Sequence, residues 1–481
     1  MRKGVLLLIA RQFLANVFKS KAIYLLIGMM VILLFYAALS GKGYHDQNHF
    51  RTEHQEIARK SWEDNPDKHP HRMAHFGTFA FRLKHALSVF DFGIESFTGN
   101  AVFLEAHRQN MVNFSEASFS TGLLRFGELS MAMILQTILP LLIFFIGYAS
   151  IVSDRANGTL KILLTQGASW KEILLGRSLG LFIIACIFIL PYLLTLATLL
   201  FSEWHDSGGE EWTRFALVTF FYLLYAIILC FVTIIVSAQS QLAKNALVKL
   251  LGIWLLLVVL LPKTSQAIGS YFYPSPTKLT FRSAIEEEVI QNGDSHNPND
   301  PFFNSLRDSV LNVHQVKSVE ELPFNYGGFI MGQGEKLSAK IYNKHHNRLL
   351  INYRNQNSLT NWLSIINPYL ALKNISMTLC GTDFESYVDF QKQSENYRYL
   401  LAQKMNELQM KYISTGHISG SEGKVHVVNR SEWKAFPDFD YHYPTVVSGL
   451  RNEIPSLLSV LGWFLLSILF LFRLSKKAKA L

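Results

Sequence analysis

Five stretches of this 481-residue chain run without a charged side chain: 22–40, 129–153, 178–202, 215–243 and 454–472. Each is near or above the roughly 20 apolar residues that a helix needs to cross about 30 Å of hydrocarbon. Soluble helices keep a polar face, and these runs have none, so each reads as a membrane span. A sixth run, 250–262, is short between Lys249 and Lys263. Drawn back to Ala246, with Lys249 snorkelling to the interface, it becomes nearly long enough. A soluble core helix is the competing reading for all six runs, and most of all for this one. The first span follows 21 residues and reads as a retained helix, not a cleaved leader.

Six spans divide the remaining sequence between two sides. On one side, 1–21, 153–177, 238–249 and 473–481 together hold 15 Lys and Arg against only Asp154 and Glu172. Basic residues near span ends stay cytoplasmic, so both termini are expected in the cytoplasm. The formal net charge of +9 is thereby a topology signal. Nucleic-acid binding is the rival explanation, but the charge is split among short juxtamembrane segments with no reader motif. The expected organisation is a cytoplasmic segment 1–21, spans 22–40, 129–152, 178–202, 215–237, 246–262 and 454–472, cytoplasmic loops 153–177 and 238–245, and a basic tail 473–481. A short outer loop, 203–214, and two large outer segments, 41–128 and 263–453, complete it. The fold class is mainly α: a polytopic membrane protein with six transmembrane helices and a large α-rich (α+β) extracytoplasmic domain built from two chain segments. Cys380 is the lone outer cysteine, so no disulfide staples that domain.

Within these segments, Leu6, Ile9, Ala10, Phe13, Leu14 and Val17 recur at helical spacing, which predicts an amphipathic helix on the inner leaflet or against a soluble partner. The polar stretch 46–63 lacks Pro and Gly, so the first span is expected to continue outward as helix until Asn65-Pro66. A long helix is predicted over 383–412, with Tyr387, Phe390, Tyr397, Leu401, Met405 and Leu408 near heptad spacing. The alternation at 424–428 predicts a short strand.

Catalytic signatures are missing. The Gly-Lys pairs at 41–42 and 423–424 lack the spacing and the following Ser or Thr of a phosphate-cradling loop, and neither HExxH nor GxSxG occurs. The chain is therefore expected to be no enzyme, with no catalytic residue and no cofactor of its own. The confident spans hold no Asp, Glu, Lys, Arg or His, unlike ion-coupled pumps, so the energy for any transport comes from elsewhere.

Between the second and third spans the chain reads SDRANGTLKILLTQGASWKEILLGR, residues 153–177. This resembles the coupling loop of type-2 ABC (ATP-binding cassette) transporter permeases, in which an acidic-basic pair precedes Gly-Thr-Leu and a short amphipathic helix. Asp154, Arg155, Gly158, Thr159 and Leu160 match that pattern, and Leu160, Leu163 and Leu164 are expected to form an apolar face that docks on a soluble partner. Further runs, HPHRMAHFGTFAF (69–81), GNAVFLEAHRQN (99–110), RFGELS (125–130), LPFNYGGFIMGQGE (322–335) and NPYLALKNISMTLCGTDF (367–384), resemble a bacterial subfamily of these permeases with large extracytoplasmic domains. The resemblance implies a bacterial inner-membrane exporter subunit of unspecified cargo. Its implied partners are a separate ATPase carrying ATP and magnesium, a second permease chain as homo- or heterodimer, the lipid bilayer, and a periplasmic or outer-membrane protein. The alternative reading is an extracytoplasmic ligand or metal sensor, or an envelope maturation factor, anchored by six helices.

All 16 histidines fall on the outer side, and six lie within 45–75. His71 and His75, four apart, share a face if their segment is helical, as a metal pair would. No CxxC, Met-rich or Asp-rich set accompanies them, so no metal is assigned, and structural hydrogen bonding or a pH response is favoured. Glu105 and His107 are expected on a helix in a satisfied polar network. His69, His71, His75, Glu105 and His107 are together expected to form a contact surface for cargo or a partner.

Overall fold

The uncharged runs fold as helices that outlast them. In a computed structural model describing residues 1–111, 129–202, 208–414 and 427–477, six helical stretches are long and apolar enough to cross a bilayer, which marks a membrane-embedded protein. The chain opens with α1 (Lys3–Lys19) and α2 (Lys21–Glu63), then α3 (Pro70–Phe76) and two short strands, β1 (Thr78–Phe81) and β2 (Ala101–Leu104). The strands pair antiparallel, Thr78 opposite Leu104 and Phe81 opposite Ala101. Next come α4 (Met131–Gly147), α5 (Val152–Ala156), α6 (Thr159–Thr165), α7 (Trp170–Ser202) and α8 (Gly209–Gln239). The sixth apolar run is one helix of 30 residues, Ala243–Phe272, made of α9 (Ala243–Trp254), a π-helical stretch at Leu255–Leu260, and α10 (Leu261–Phe272). The widening precedes Pro262, which has no N–H to give the preceding turn and whose ring crowds it. The short apolar run is therefore the middle of a long helix.

The remaining elements are α11 (Lys278–Asn292), α12 (Pro301–His314), α13 (Tyr326–Ser364), α14 (Pro368–Cys380), α15 (Phe384–Tyr412), α16 (Ser431–Lys434), α17 (Val446–Asn452) and α18 (Ile454–Lys477). The helix expected over 383–412 is present, capped by the Asp383 side chain, and Phe390, Leu401, Met405 and Leu408 are buried as its spacing requires. The continuation of the first span as helix to Glu63 is present too. Of the expected strand 424–428, residues 424–426 lie outside the described residues. Val428 forms a single bridge to Lys68, with backbone bonds of 3.0 and 3.3 Å that tie the two polar segments together.

The helix bundle has its own core. Helices α4, α7 and α8 lie at its centre, whereas α2 and α9–α10 show most of their apolar surface outward. Helix α1 lays Ile9 and Phe13 on α7 at Gly176 and Gly180; a Cβ at Gly176 would stand 2.9 Å from that of Ile9, so glycine permits this approach. The apolar stripe of α1 thus packs on its own chain. Helix α14 also joins the bundle core through Ala371, Leu372, Ile375 and Leu379, although it lies between two polar stretches of sequence. The polar lobe is built on α13 and α15, with α3, β1, β2 and the polar half of α2 packed on them. One of its apolar clusters joins Trp62, Met73, Ala74 and Ala106 to Leu401, Met405 and Trp433, so its core is drawn from both long segments.

Candidate functional site

The segment 153–177 is a short exposed helix held on ionic braces. Gly158 sits at φ 77° with open space around its Cβ position, so glycine is required there for the left-handed backbone that starts α6. Asp154 accepts from Arg177 at 2.5 Å. Arg155 donates to the carbonyls of Ser240 and Ala238, both at 2.7 Å, placing a cation on the C-terminal end of α8. At the far end Glu172 accepts from the Arg2 side chain and backbone, at 3.0 and 2.6 Å, and from the Ser169 N–H, which pins α1 to the start of α7. The expected docking face is corrected here. Leu160 is 1% exposed and belongs to the bundle core, while Leu163 and Leu164 are half-buried against it. A seven-residue helix lying on a bundle must turn one face inward, and in α6 that face carries Leu160. The apolar residue left facing out is Ile162, at 55% exposure, flanked by exposed Lys161, Thr165 and Gln166.

In the polar lobe the structure brings three histidines together. His71 and His75 do share one face of α3, their rings 4.6 Å apart. Glu105 and His107 lie on no helix: β2 ends at Leu104, and a tight turn bridges Glu105 to Arg108 with His107 at φ 61°. The apolar run Ala101-Val102-Phe103-Leu104, with a β-branched and an aromatic side chain at its centre, favours a strand, and the chain must reverse to leave it. The turn is fixed against α3 by Ala106 N–H donating to the Ala74 carbonyl at 3.1 Å. The His107 ring consequently stands 5.4 Å from that of His71 and 5.3 Å from that of His75, and the nearest nitrogens of all three lie within 4.8 Å of one another. His69 stands aside: its Nδ1 accepts from the His71 N–H and caps α3. The Glu105 carboxylate accepts from Asn110 at 3.2 Å.

Two of these imidazole nitrogens, His71 Nδ1 and His107 Nε2, are buried without a hydrogen-bond partner among the described residues. Such an atom costs about 1–3 kcal/mol, so native folds rarely leave two side by side. Burial first, then the neighbouring rings of His75 and His107, pushes the His71 pKa down to about 4; burial and His107 lower His75 as well. His71 is therefore neutral near pH 7.

Sequence reasoning missed the group that positions His107. Glu335 on α13, fully buried, accepts the His107 backbone N–H at 3.0 Å and lies 3.4 Å from the ring Nδ1. Arg398 on α15 donates to Glu335 at 2.6 Å, to Glu395 at 2.8 Å, and to the Glu105 carbonyl at 3.2 Å. Burial alone would raise the Glu335 carboxyl; the His107 bond and the Arg398 guanidinium outweigh it and hold the pKa at about 2. Glu395 on the same guanidinium goes the other way, raised by burial, and the Glu335 charge adds to the rise. The closer contact and the second donor make Glu335 the settled anion. A signal was present: Gly328, Gly332, Glu335, Ala339, Tyr342, His346 and Leu349 form one stripe along α13, and a carboxylate seated in it needs a buried cation. Among the described residues, a cavity of about 650 Å³ opens beside the cluster, with His107, His296, Arg282 and Tyr342 in its wall.

Compared with known proteins, the chain is similar over residues 278–442 to a family described as a domain of unknown function, DUF3526. That segment contributes Glu335, Glu395, Arg398 and His296, and excludes the three clustered histidines. No curated protein matches the chain.

Proposed function

We propose that this chain is the membrane-spanning permease subunit of a type-2 ABC exporter in a bacterial inner membrane. Two permease chains form the pathway, both termini and the 153–177 segment face the cytoplasm, and the polar lobe lies outside. A separate ATPase binds ATP and magnesium, docks on α6 and drives movement of cargo. The observation that carries this reading is the construction of 153–177. A short helix offers exposed Ile162, while Asp154–Arg177, Arg155 on the end of α8, and Arg2–Glu172 tie its base to three other helices. A force applied at α6 thus reaches α1, α7 and α8 through the braces on either side of it. The charge asymmetry of the loops and the resemblance of residues 153–177 to coupling loops support the orientation.

The test is Ile162→Asp, a change at an exposed position that leaves the bundle core intact. Affinity purification of the tagged chain in mild detergent should recover a stoichiometric ATPase with the wild type. It should recover at most about a tenth as much with the variant, which costs the interface an apolar anchor and adds a buried charge. Equal recovery from both, or no ATPase with either, would sink the proposal.

A further inference from the structure

We propose that His71, His75 and His107 form a binding site for one divalent transition-metal ion of the imidazole-preferring kind, Zn²⁺ or Cu²⁺, with an open coordination position beside the cavity that His107 and His296 line. This inference rests on the lobe alone and is independent of the permease reading.

The donor set has the right chemistry. Three imidazoles with no thiolate among them suit zinc or copper(II), whereas calcium and magnesium demand a cage of oxygens. The geometry is nearly closed. An ion bound tetrahedrally at about 2.0–2.1 Å holds its nitrogens roughly 3.4 Å apart, and the three here already lie within 4.8 Å. Small rotations of side chains that are only partly confined, His75 being exposed, close the difference. The two buried nitrogens without partners, His71 Nδ1 and His107 Nε2, are the atoms that an ion would satisfy.

The surroundings are also those of a ligand site. A metal-binding histidine usually presents its other ring nitrogen to a carboxylate, which fixes the tautomer and the ring plane. Glu335 holds that place at His107 Nδ1, 3.4 Å away, and Arg398 holds Glu335 in turn. That leaves Nε2, buried without a partner among the described residues, as the nitrogen able to bind an ion. The donors are set in advance: His71 and His75 by one turn of α3, and His107 by the Ala106–Ala74 bond, so binding orders little chain. An ion here would weld α3 to the turn after β2, which Glu335 and Arg398 already join to α13 and α15.

The experiment uses the full chain, purified in detergent with a histidine-free tag, stripped with chelator and titrated with ZnCl₂ and, separately, CuCl₂. Expected is binding of about one ion per chain with a Kd below about 1 µM, weakened at least about 100-fold by His71→Ala or His107→Ala. His442→Ala, an exposed histidine elsewhere in the lobe, should bind like wild type. Added zinc should raise the Tm of the stripped wild type and leave that of the two variants unchanged. Because the variants are compared in the stripped state first, a folding defect shows as a lowered Tm before any metal is added. In that event His75→Ala, at an exposed position, replaces them. Absence of binding to the wild type, or undiminished binding in a folded cluster variant, overturns the site.

Discussion

The two polar regions of the molecule pair their charges alike and differ in what they leave free. Around 153–177 the strong ionic groups of the brace are committed to partners within the chain: Asp154 to Arg177, Glu172 to Arg2, and Arg155 to two carbonyls. What remains exposed for an outside molecule is one large apolar side chain, Ile162, with Lys161, Thr165 and Gln166 around it. In the lobe the carboxylates and the arginine are likewise committed, but two buried imidazole nitrogens are not. The difference separates two kinds of recognition surface. A rigid base with an apolar tip suits a protein partner held by burial of area; fixed donor atoms with unfilled valence suit a small electrophile.

The contrast can be broken by substitution. The largest effect is expected at Arg398→Met, which leaves the Glu335 and Glu395 carboxylates buried without their cation and should cost about 3–5 kcal/mol of lobe stability. Adding Glu335→Leu and Glu395→Leu should restore much of it in a thermal melt. If the triple variant is no better than the single one, the arginine acts by filling space and not by charge. Next in size, Leu160→Ala should cost about 2–4 kcal/mol as a core truncation. Ile162→Ala should stay within about 0.5 kcal/mol at its exposed position. Equal losses at both positions would mean that α6 has no outward face. The smallest effect is one of pH. Burial lowers the pKa of His71 and His346 to about 4 and of His85 to about 3, so all three are neutral in the native lobe and protonate near pH 6.5 once unfolded. Their contribution is fully present above about pH 6.5 and declines as pH falls toward the folded values, by roughly 2 kcal/mol per group near pH 5. The Tm of the detergent-solubilised chain should fall accordingly between about pH 7 and 5, less steeply in His346→Phe, which preserves the ring stacked on Tyr342. A flat profile would show that these rings reach water in the folded state.

What the sequence disclosed, and what it hid, follows the range of the interactions. Spans, the continuation of α2 to Glu63, the heptad stripe of α15 and the shared face of His71 and His75 are set by residues within a few turns of each other. The convergence of His107 on α3 depends on a turn after a four-residue strand, and the expectation of a helix at Glu105 and His107 put its side chain on the wrong element. Glu335 and Arg398 meet across two helices and 63 positions, and neither is marked as a partner by spacing. At α6 the apolar trio was visible, but which of its faces turns inward is decided by the bundle beneath it, and Leu160 went in while Ile162 stayed out.

Helix α2 has a mechanical consequence. It runs unbroken for 43 residues, so it is about 65 Å long, and it is anchored at both ends: Met30 and Ala37 in the bundle core, Trp62 in the apolar cluster that carries Met73 and Ala74 of α3. A rod of that length is a lever. A tilt of about 5° about its anchor at Ala37 carries Glu63, about 39 Å further along, through roughly 3 Å, more than half the distance that now separates the rings of the three histidines. A small reorientation among the spans would therefore arrive at the histidine cluster magnified, as a displacement on the scale of the cluster itself.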